Sequence, residues 1–207
     1  VAGGYAANAY GNNTIAIGSE TTAGTQASAL GYRSNALGSN STAITGGNAY
    51  GDHAVAIGNR SNASADTIAI GAEAGTNSTG RQNVYIGTRA GVGSTNSTVN
   101  TAGQWNTAIG FASFFNGGGT ENSYYGAYSG NQATGNYNSA LGDIAGANVT
   151  GNSNSAYGYA SGRYVSGDNN IALGTGAGYG VLGDNNISIG ESAGPNGGVQ
   201  TDYAIAI

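Results

Sequence analysis

The chain has one histidine and no cysteine, so nucleophilic and general-base chemistry have few candidate residues. His53, in the segment GDHAVAIG, is the residue type that activates the serine of a Ser-His-Asp triad, but no serine or aspartate elsewhere stands in an identifiable triad context. The absence of cysteine excludes disulfides, thiol catalysis and Cys-ligated metal. We therefore interpret His53 as a solvated turn residue and predict that the protein is not an enzyme.

The carboxylates fall singly, after glycines, whereas paired acid and base catalysis needs two carboxyl groups held a few ångströms apart. Asp168 and Asp184 are sixteen residues apart, and we interpret them as neighbours in a stacked surface ladder. Calcium-binding β-roll loops carry an aspartate in each repeat. Because the equivalent positions Asn136 and Asn152 are uncharged, we predict no required metal, and weak calcium binding at Asp168 and Asp184 stays open.

Glycine-rich segments such as GTGAGYG, residues 174–180, have the composition of a phosphate-binding loop, but no Lys-Ser/Thr follows and no helix can follow. We therefore predict no cofactor. All five basic residues are arginines and the net charge is −5, whereas nucleic acid and anionic membranes require clustered positive charge. No apolar run approaches the roughly twenty residues of a membrane helix, and no targeting segment is recognisable.

The residues that position these side chains form a repeat, marked by glycines at a fixed interval. From residue 72 onward the unit is about sixteen residues long, and phrases such as NSALG and NIALG end at each closing glycine. In residues 1–71 two steps make a unit of about fourteen, and Thr45 stands where a closing glycine is expected. A polar excess near 92–104 predicts a long surface turn. The repeat continues from end to end without a linker, so we predict a single domain, 1–207.

Alternation within each phrase predicts a β-strand, since Ile171 and Leu173 share one side while Ala172 faces the other. Glycine and asparagine tolerate the left-handed backbone of tight turns and disfavour helix. The sequence thus predicts an all-β parallel solenoid of about 13 short coils, each with two strands and two turns, about 60 Å long at about 4.8 Å per coil. Asparagines before successive strands, such as Asn138 and Asn154, are expected to form a hydrogen-bonded ladder.

The large aliphatic side chains are expected to fill the thin core, which leaves the alanines of the strands as a flat apolar stripe outside. A contiguous apolar face is normally buried against a partner, and alanine lets backbones approach closely. We therefore predict self-association around an axis through this stripe. The predicted interface comprises Ala16, Ala56, Ala69, Ala108, Ala140, Ala156 and Ala172.

The aromatic side chains are too numerous for so thin a core. Some are expected at the surface, where tyrosine and tryptophan provide rigid contact area with a polar tip for protein or glycan adhesion. The alternative is that they fill wider coils or the interface between chains. The predicted adhesive surface comprises Trp105, Phe111, Phe114, Phe115, Tyr124, Tyr128, Tyr159 and Tyr164.

The phrases NNTIAIG, HAVAIG, ADTIAIG, NNIALG and NNISIG, with half-turns of seven residues, resemble the head repeats of trimeric autotransporter adhesins, the YadA-like heads. The resemblance covers nearly the whole chain and implies a left-handed parallel β-roll, assembled as a homotrimer on a stalk. It implies non-enzymatic adhesion at the bacterial cell surface, to host extracellular-matrix or cell-surface proteins or glycans, or to abiotic surfaces. Stalk and outer-membrane anchor are expected to lie outside this chain.

Two alternatives concern the use of such a solenoid. The sixteen-residue phrases also resemble repeat arrays in phage tail fibres, which would place a similar trimeric module on a different surface. An ice-binding solenoid would need a regular threonine array on its strands, whereas the threonines here fall mostly in turns. The sequence therefore favours an adhesive module and leaves its receptor open.

Overall fold

The computed structural model describes residues 1–93, 103–194 and 202–207. These ranges contain short β-strands and turns but no helix, and therefore no helix that could cross a membrane. The strands in chain order are β1 (Ala2–Gly3), β2 (Asn8–Ala9), β3 (Ile15–Ile17), β4 (Thr22–Ala23), β5 (Ser28–Leu30), β6 (Asn35–Ala36), β7 (Thr42–Ile44), β8 (Asn48–Ala49), β9 (Val55–Ile57), β10 (Asn62–Ala63), β11 (Ile68–Ile70), β12 (Val84–Ile86), β13 (Thr107–Ile109), β14 (Ser123–Tyr125), β15 (Ser139–Leu141), β16 (Ser155–Tyr157), β17 (Ile171–Leu173), β18 (Ile187–Ile189) and β19 (Ile205–Ala206).

Two parallel sheets make up the walls of a solenoid. The first sheet has fourteen strands in the order β1-β3-β5-β7-β9-β11-β12-β13-β14-β15-β16-β17-β18-β19, and the second has five, β10-β8-β6-β4-β2. Each strand pairs with the strand one coil later, so the offset between paired residues measures the coil: Ala43 pairs with Ala56, and Ala140 with Ala156. The predicted all-β parallel solenoid is confirmed, with about 12 turns where about 13 were predicted.

The longest step between coils leaves the first sheet in register. Val84 pairs with Thr107 and Ile86 with Ile109, across a step of twenty-three residues. The middle of the predicted long turn, residues 94–102, lies outside the described residues. The insertion is therefore accommodated without disturbing the strands on either side of it.

The second wall changes character after residue 71, and here the prediction of two strands in every sixteen-residue coil is wrong. The second sheet ends at β10. In residues 103–194 this wall continues as a column of isolated parallel bridges, Gly118 to Thr134, Thr150, Ser166 and Leu182 in succession. The residues that follow each closing glycine form successive turns instead of a strand. The two added residues per coil thus lengthen turns, and only the first sheet continues as a regular wall.

The predicted facing of the strands is also wrong, because the alanines point inward and the larger aliphatic side chains outward. The walls lie so close that a methyl group added at Gly162 would be 2.8 Å from the Ala156 Cβ atom. In this coil a space of such depth accepts alanine at the inward strand position and excludes isoleucine or leucine. All seven alanines predicted at the interface are accordingly buried within their own chain: Ala16, Ala56, Ala69, Ala108, Ala140, Ala156 and Ala172.

Closing glycines mark the closest approach of successive coils. Gly158 has φ of +130°, and a Cβ atom there would lie 2.7 Å from the carbonyl oxygen of Gly174. Any side chain would therefore meet the backbone of the next coil while its own backbone occupied a conformation that only glycine adopts readily. This double constraint explains the sixteen-residue glycine interval in physical terms.

A ladder of buried asparagines connects the later coils, as predicted. The Oδ1 atom of Asn138 accepts the Asn154 backbone N–H at 2.9 Å, and the Oδ1 atom of Asn154 accepts the Asn170 backbone N–H at 3.0 Å. The Nδ2 atom of each donates to a glycine carbonyl of the next turn, as Asn154 does to Gly167 at 2.9 Å. The Nδ2 atom of Asn154 also donates back to Asn138 Oδ1 at 3.1 Å, so this side chain bonds to the coils on both sides of it. The ladder comprises Asn83, Asn106, Asn122, Asn138, Asn154, Asn170 and Asn186.

Candidate adhesive and assembly surfaces

The outer surface of the first sheet carries a continuous row of large apolar side chains, which we call the apolar face. Its members occupy the third position of consecutive strands and are paired in register from coil to coil, so each lies beside its neighbours. Several are substantially exposed; Leu141 is 53 % exposed. The row comprises Ile17, Leu30, Ile44, Ile57, Ile70, Ile86, Ile109, Tyr125, Leu141, Tyr157, Leu173 and Ile189.

The sequence predicts these residues as one stripe, but the predicted place of that stripe in the core is wrong. With the alanines inside, the apolar face is the surface of the solenoid that is both continuous and hydrophobic along its length. Isolated exposed apolar residues are ordinary, whereas an extended contiguous patch marks an interaction site. The face suited to association between chains is therefore formed by the large apolar side chains that point outward. The alanines predicted to form it point inward.

The predicted adhesive aromatics divide into two groups. Trp105, Phe111, Tyr128, Tyr159 and Tyr164 are exposed, as expected for contact residues, and Phe115 is partly buried. Phe114 and Tyr124 are each only 1 % exposed, so their predicted position on the adhesive surface is wrong. Their rings stack with centroids 5.0 Å apart inside the coil, where the inward strand position holds a tyrosine instead of alanine.

Exposed and partly buried aromatics pair along the turns of the second repeat type. Phe111 and Tyr128 are packed edge to face with centroids 5.3 Å apart, and Tyr164 and Tyr179 at 5.5 Å. The Arg163 guanidinium lies 4.6 Å from the Tyr164 ring centroid and donates to its hydroxyl at 2.8 Å. Such contacts hold the rings in fixed orientations, so this edge offers pre-ordered contact surface.

A groove of about 290 Å³ lies between these aromatic turns. Tyr128, Ile144 and Ala147 form its apolar side, and Asn131, Asn148 and Arg163 supply polar groups. It is shallow and opens to solvent along the turns. A surface of this kind can contact an extended partner.

Charged residues form ladders along the turns of the first repeat type. Arg33 Nε lies 2.7 Å from Glu20 Oε2, and Arg60 Nη1 lies 3.2 Å from Glu73 Oε1. The same Glu73 lies 3.6 Å from Arg89. Hydrogen bonding and the charge of Glu20 raise the pKa of Arg33. Because these side chains are largely exposed, each pair orients its partners more than it stabilises the fold.

An open notch interrupts these turns at Thr45 and Gly46. The connection from β7 to β8 has one residue fewer than the connections from β5 to β6 and from β9 to β10. A surface cavity of about 630 Å³ lies at this point. The sequence signal was the unexpected Thr45, but the arginines and amides that it brings together could be identified only from the structure. They are Tyr32, Arg33, Asn35, Thr45, Gly46, Asn48, Asn59 and Arg60.

The remaining candidates for chemistry lie on the surface. His53 Nδ1 is 3.2 Å from Asp66 Oδ1, and both side chains are exposed, as expected for a solvated turn. Asp184 Oδ1 accepts the Asp168 backbone N–H at 2.7 Å, which confirms the carboxylate ladder predicted for this pair. Within residues 1–93, 103–194 and 202–207, no three His, Asp or Glu side chains come together as a metal site.

Comparison with known proteins identifies the first part of the repeat. Residues 1–21, 23–44 and 49–74 match the sequence profile described as YadA head domain repeat (2 copies). These ranges include all of β2, β6 and β10 of the second sheet, one residue each of β4 and β8, and the first strands of the apolar face. No curated protein matches the chain.

Proposed function

We propose that the chain, whose residues 1–21, 23–44 and 49–74 match the YadA head domain repeat, is a non-enzymatic adhesion module, the head of a trimeric autotransporter adhesin displayed outside the bacterial cell. Three copies pack side by side through their apolar faces. The assembled module binds host extracellular-matrix or cell-surface molecules, or abiotic surfaces, through its turns. It carries out no reaction and needs no cofactor.

The observation that carries this proposal is the unbroken apolar row on the first sheet. A coil whose core consists mainly of alanine buries little apolar area, while its larger aliphatic side chains remain in water. Removing apolar surface from water stabilises by about 25 cal/mol per Å², so covering the row of ten aliphatic and two tyrosine side chains would strongly favour association. A row that is straight and in register suits parallel copies of the same rod, since equal residues recur at equal heights.

Sedimentation and light scattering of the purified chain test the assembly. We expect a trimer. Leu141→Asp places a charge on the apolar face and is expected to dissociate the trimer, because an unpaired charge is costly in an apolar interface. Leu37→Asp is the matched control, because Leu37 follows β6 of the second sheet, away from the apolar face, and is exposed to a similar degree, 48 % against 53 % for Leu141. A stable wild-type monomer, or equal dissociation by both variants, would contradict the proposed interface.

The adhesive part of the proposal is supported by the exposed aromatic turns. Beads coated with the intact chain are expected to bind at least one component of an array of matrix proteins, glycans and abiotic surfaces. Replacing both Tyr159 and Tyr164 with serine is expected to weaken binding while the trimer remains, because rigid aromatic contact area is lost. Absence of binding to every component by the assembled trimer would overturn the adhesive function.

A further inference from the structure

We propose that the notch at Thr45 and Gly46 is a binding site for a carboxylate-bearing sugar residue, such as a sialic or uronic acid. This inference names a ligand class for the adhesive module proposed above and rests on that function. The notch is the place where the regular turn between the two sheets loses one residue while both sheets stay in register.

The backbone hydrogen bonds between successive turns are interrupted at the notch, where the turn is one residue shorter, and among the described residues this leaves a carbonyl group without a backbone donor. In the turns on either side, the Arg33 amide donates to the Ser19 carbonyl at 3.0 Å, and the Arg60 amide donates to the Gly46 carbonyl at 3.1 Å. At the notch the Gly46 amide donates instead to Ser34 Oγ at 3.0 Å. Within the described part of the chain, no backbone amide donates to the Tyr32 carbonyl. The floor of the notch therefore presents a free acceptor.

Two arginines stand on opposite sides of this floor, two coils apart, a separation of about 10 Å. Arg33 uses its Nε atom and Arg60 its Nη1 atom to bind Glu20 and Glu73, respectively. These contacts hold each side chain in place while other guanidinium donors remain for a ligand. A carboxylate is the group that such a planar fork binds best.

The remaining lining groups suit a sugar ring. Asn35 Nδ2 donates to Asn48 Oδ1 at 2.9 Å, which leaves Asn35 Oδ1 and Asn48 Nδ2 for a ligand. Together with the Asn59 amide and the Thr45 hydroxyl, these groups match the hydroxyl groups of a saccharide. The Arg33 Cζ atom lies 4.9 Å from the centroid of the Tyr32 ring. Tyr32 is exposed, so its ring offers an apolar surface for the C–H groups of the sugar. The cavity of about 630 Å³ falls within the usual range for small-molecule sites.

An acidic peptide is the competing ligand, and the fold disfavours it. Extended peptides commonly bind by adding a strand to an open sheet edge. At the notch β6, β7 and β8 are all paired with neighbours on both sides, so no edge is open. A compact ligand with one carboxylate and several hydroxyls uses the available groups more completely than a peptide side chain would.

Saturation-transfer NMR and titration calorimetry on the intact chain test this site with defined probes. We expect sialyllactose and a uronic-acid disaccharide to bind, and lactose, which lacks the carboxylate, to bind at least about 10-fold more weakly. Arg33→Gln and Arg60→Gln are each expected to weaken sialyllactose binding about 10-fold, as loss of a charge-assisted hydrogen bond predicts. Glutamine fits this backbone, since Gln26 and Gln82 already adopt the same left-handed conformation.

Arg89→Gln is the matched control, because Arg89 also contacts Glu73 from an equivalent turn but lies outside the notch. It should leave sugar binding unchanged. A second variant inserts one serine between Thr45 and Gly46, which restores the turn length. This variant should retain its circular dichroism spectrum and thermal midpoint and lose sugar binding.

Equal binding of lactose and sialyllactose, full binding by the Arg33→Gln/Arg60→Gln double variant, or an equal loss in Arg89→Gln would each overturn the inference. Tighter binding of a glutamate-rich peptide than of either acidic sugar would also overturn it. If the chain forms adhesive trimers but binds no acidic sugar, this inference alone fails. If a monomeric chain binds acidic sugars through both arginines, the proposed assembly fails and the sugar site stands.

Discussion

Single buried asparagines hold successive coils together, and Asn154 shows how much one of them contributes. Its Nδ2 atom donates to Asn138 Oδ1 and to the Gly167 carbonyl, while its Oδ1 atom accepts from Asn170. We predict that Asn154→Ala lowers the free energy of unfolding by about 2–4 kcal/mol, because several buried partners lose their hydrogen bonds at once. Urea unfolding followed by circular dichroism measures this loss.

Asn131→Ala provides the comparison within the same repeat type. Asn131 is only partly buried, and no side-chain hydrogen bond of Asn131 is present in the described structure. Its substitution should change stability by no more than about 0.5 kcal/mol. Equal destabilisation by the two substitutions would show that the ladder contributes nothing beyond ordinary asparagine packing.

The asparagine ladder could be predicted from sequence, whereas the direction of the strand side chains could not. The regular interval that separates Asn138 from Asn154 placed equal residues at equal positions in a stacked fold. Alternation in Ile171, Ala172 and Leu173 established that alanine and the aliphatic residues face opposite ways, but it did not establish which side is inside. That depends on the distance between the walls of the coil, and the close approach of Gly162 to Ala156 became measurable only in three dimensions.

Among the elements, the coil built around β14 departs most from the alanine-filled pattern. Tyr124 fills the inward position of this strand, stacks on Phe114 and lies beneath Gly130, which has no side chain to obstruct the ring. We predict that Tyr124→Ala destabilises the protein by about 3–5 kcal/mol through lost burial and a residual cavity. Thermal or urea unfolding measures the change.

Tyr159→Ala is the control for this element, because Tyr159 is an exposed aromatic of the same repeat type. Its effect on unfolding should stay within about 0.5 kcal/mol, although it belongs to the surface proposed for adhesion. If Tyr124→Ala were equally harmless, the stacked pair would not be a structural part of the coil.

The elements could be predicted only in part. Period, strand phrases and the parallel arrangement followed from the glycine spacing, because a fixed repeat must place equal segments beside one another. The loss of the second sheet after β10 did not follow from it. In the earlier coils two residues, such as Asn62 and Ala63, pair with the neighbouring coil as a short strand. At this wall of the later coils a single residue, such as Thr150, makes the pairing. Both arrangements close a coil, and the sequence signal for a two-residue strand is too short to separate them.

At the scale of the whole molecule, each coil contacts mainly its neighbours, so stability is a sum of repeated interfaces along the rod. This arrangement explains how the chain combines different coils without losing register. The shortened turn at Thr45, the long step between Val84 and Thr107, and the tyrosine-filled coils are local changes within a continuous first sheet. Features that serve binding can therefore vary from coil to coil while the apolar face stays uninterrupted.

Two buried tyrosines give the whole molecule a sensitivity to alkaline pH. Burial raises the pKa of Tyr85 above its ordinary value of 10.0, with a hydrogen bond from the Ser78 side chain opposing it in part, and burial likewise raises the pKa of Tyr124. Below about pH 10 both hydroxyls are protonated whether the chain is folded or unfolded, so neither pKa shift affects stability there. Above that pH the unfolded chain releases these protons more readily than the folded one.

We therefore predict that the free energy of unfolding falls above about pH 10, by roughly 1.4 kcal/mol per pH unit for each buried tyrosine. Urea midpoints measured at intervals between pH 8 and pH 12 give this slope. The Tyr85→Phe/Tyr124→Phe variant should lose most of it, because phenylalanine has no proton to release, whereas the exposed pair Tyr159→Phe/Tyr203→Phe should retain it. An unchanged slope in the first variant would mean that alkaline unfolding begins at groups other than the tyrosines that fill the widened coils.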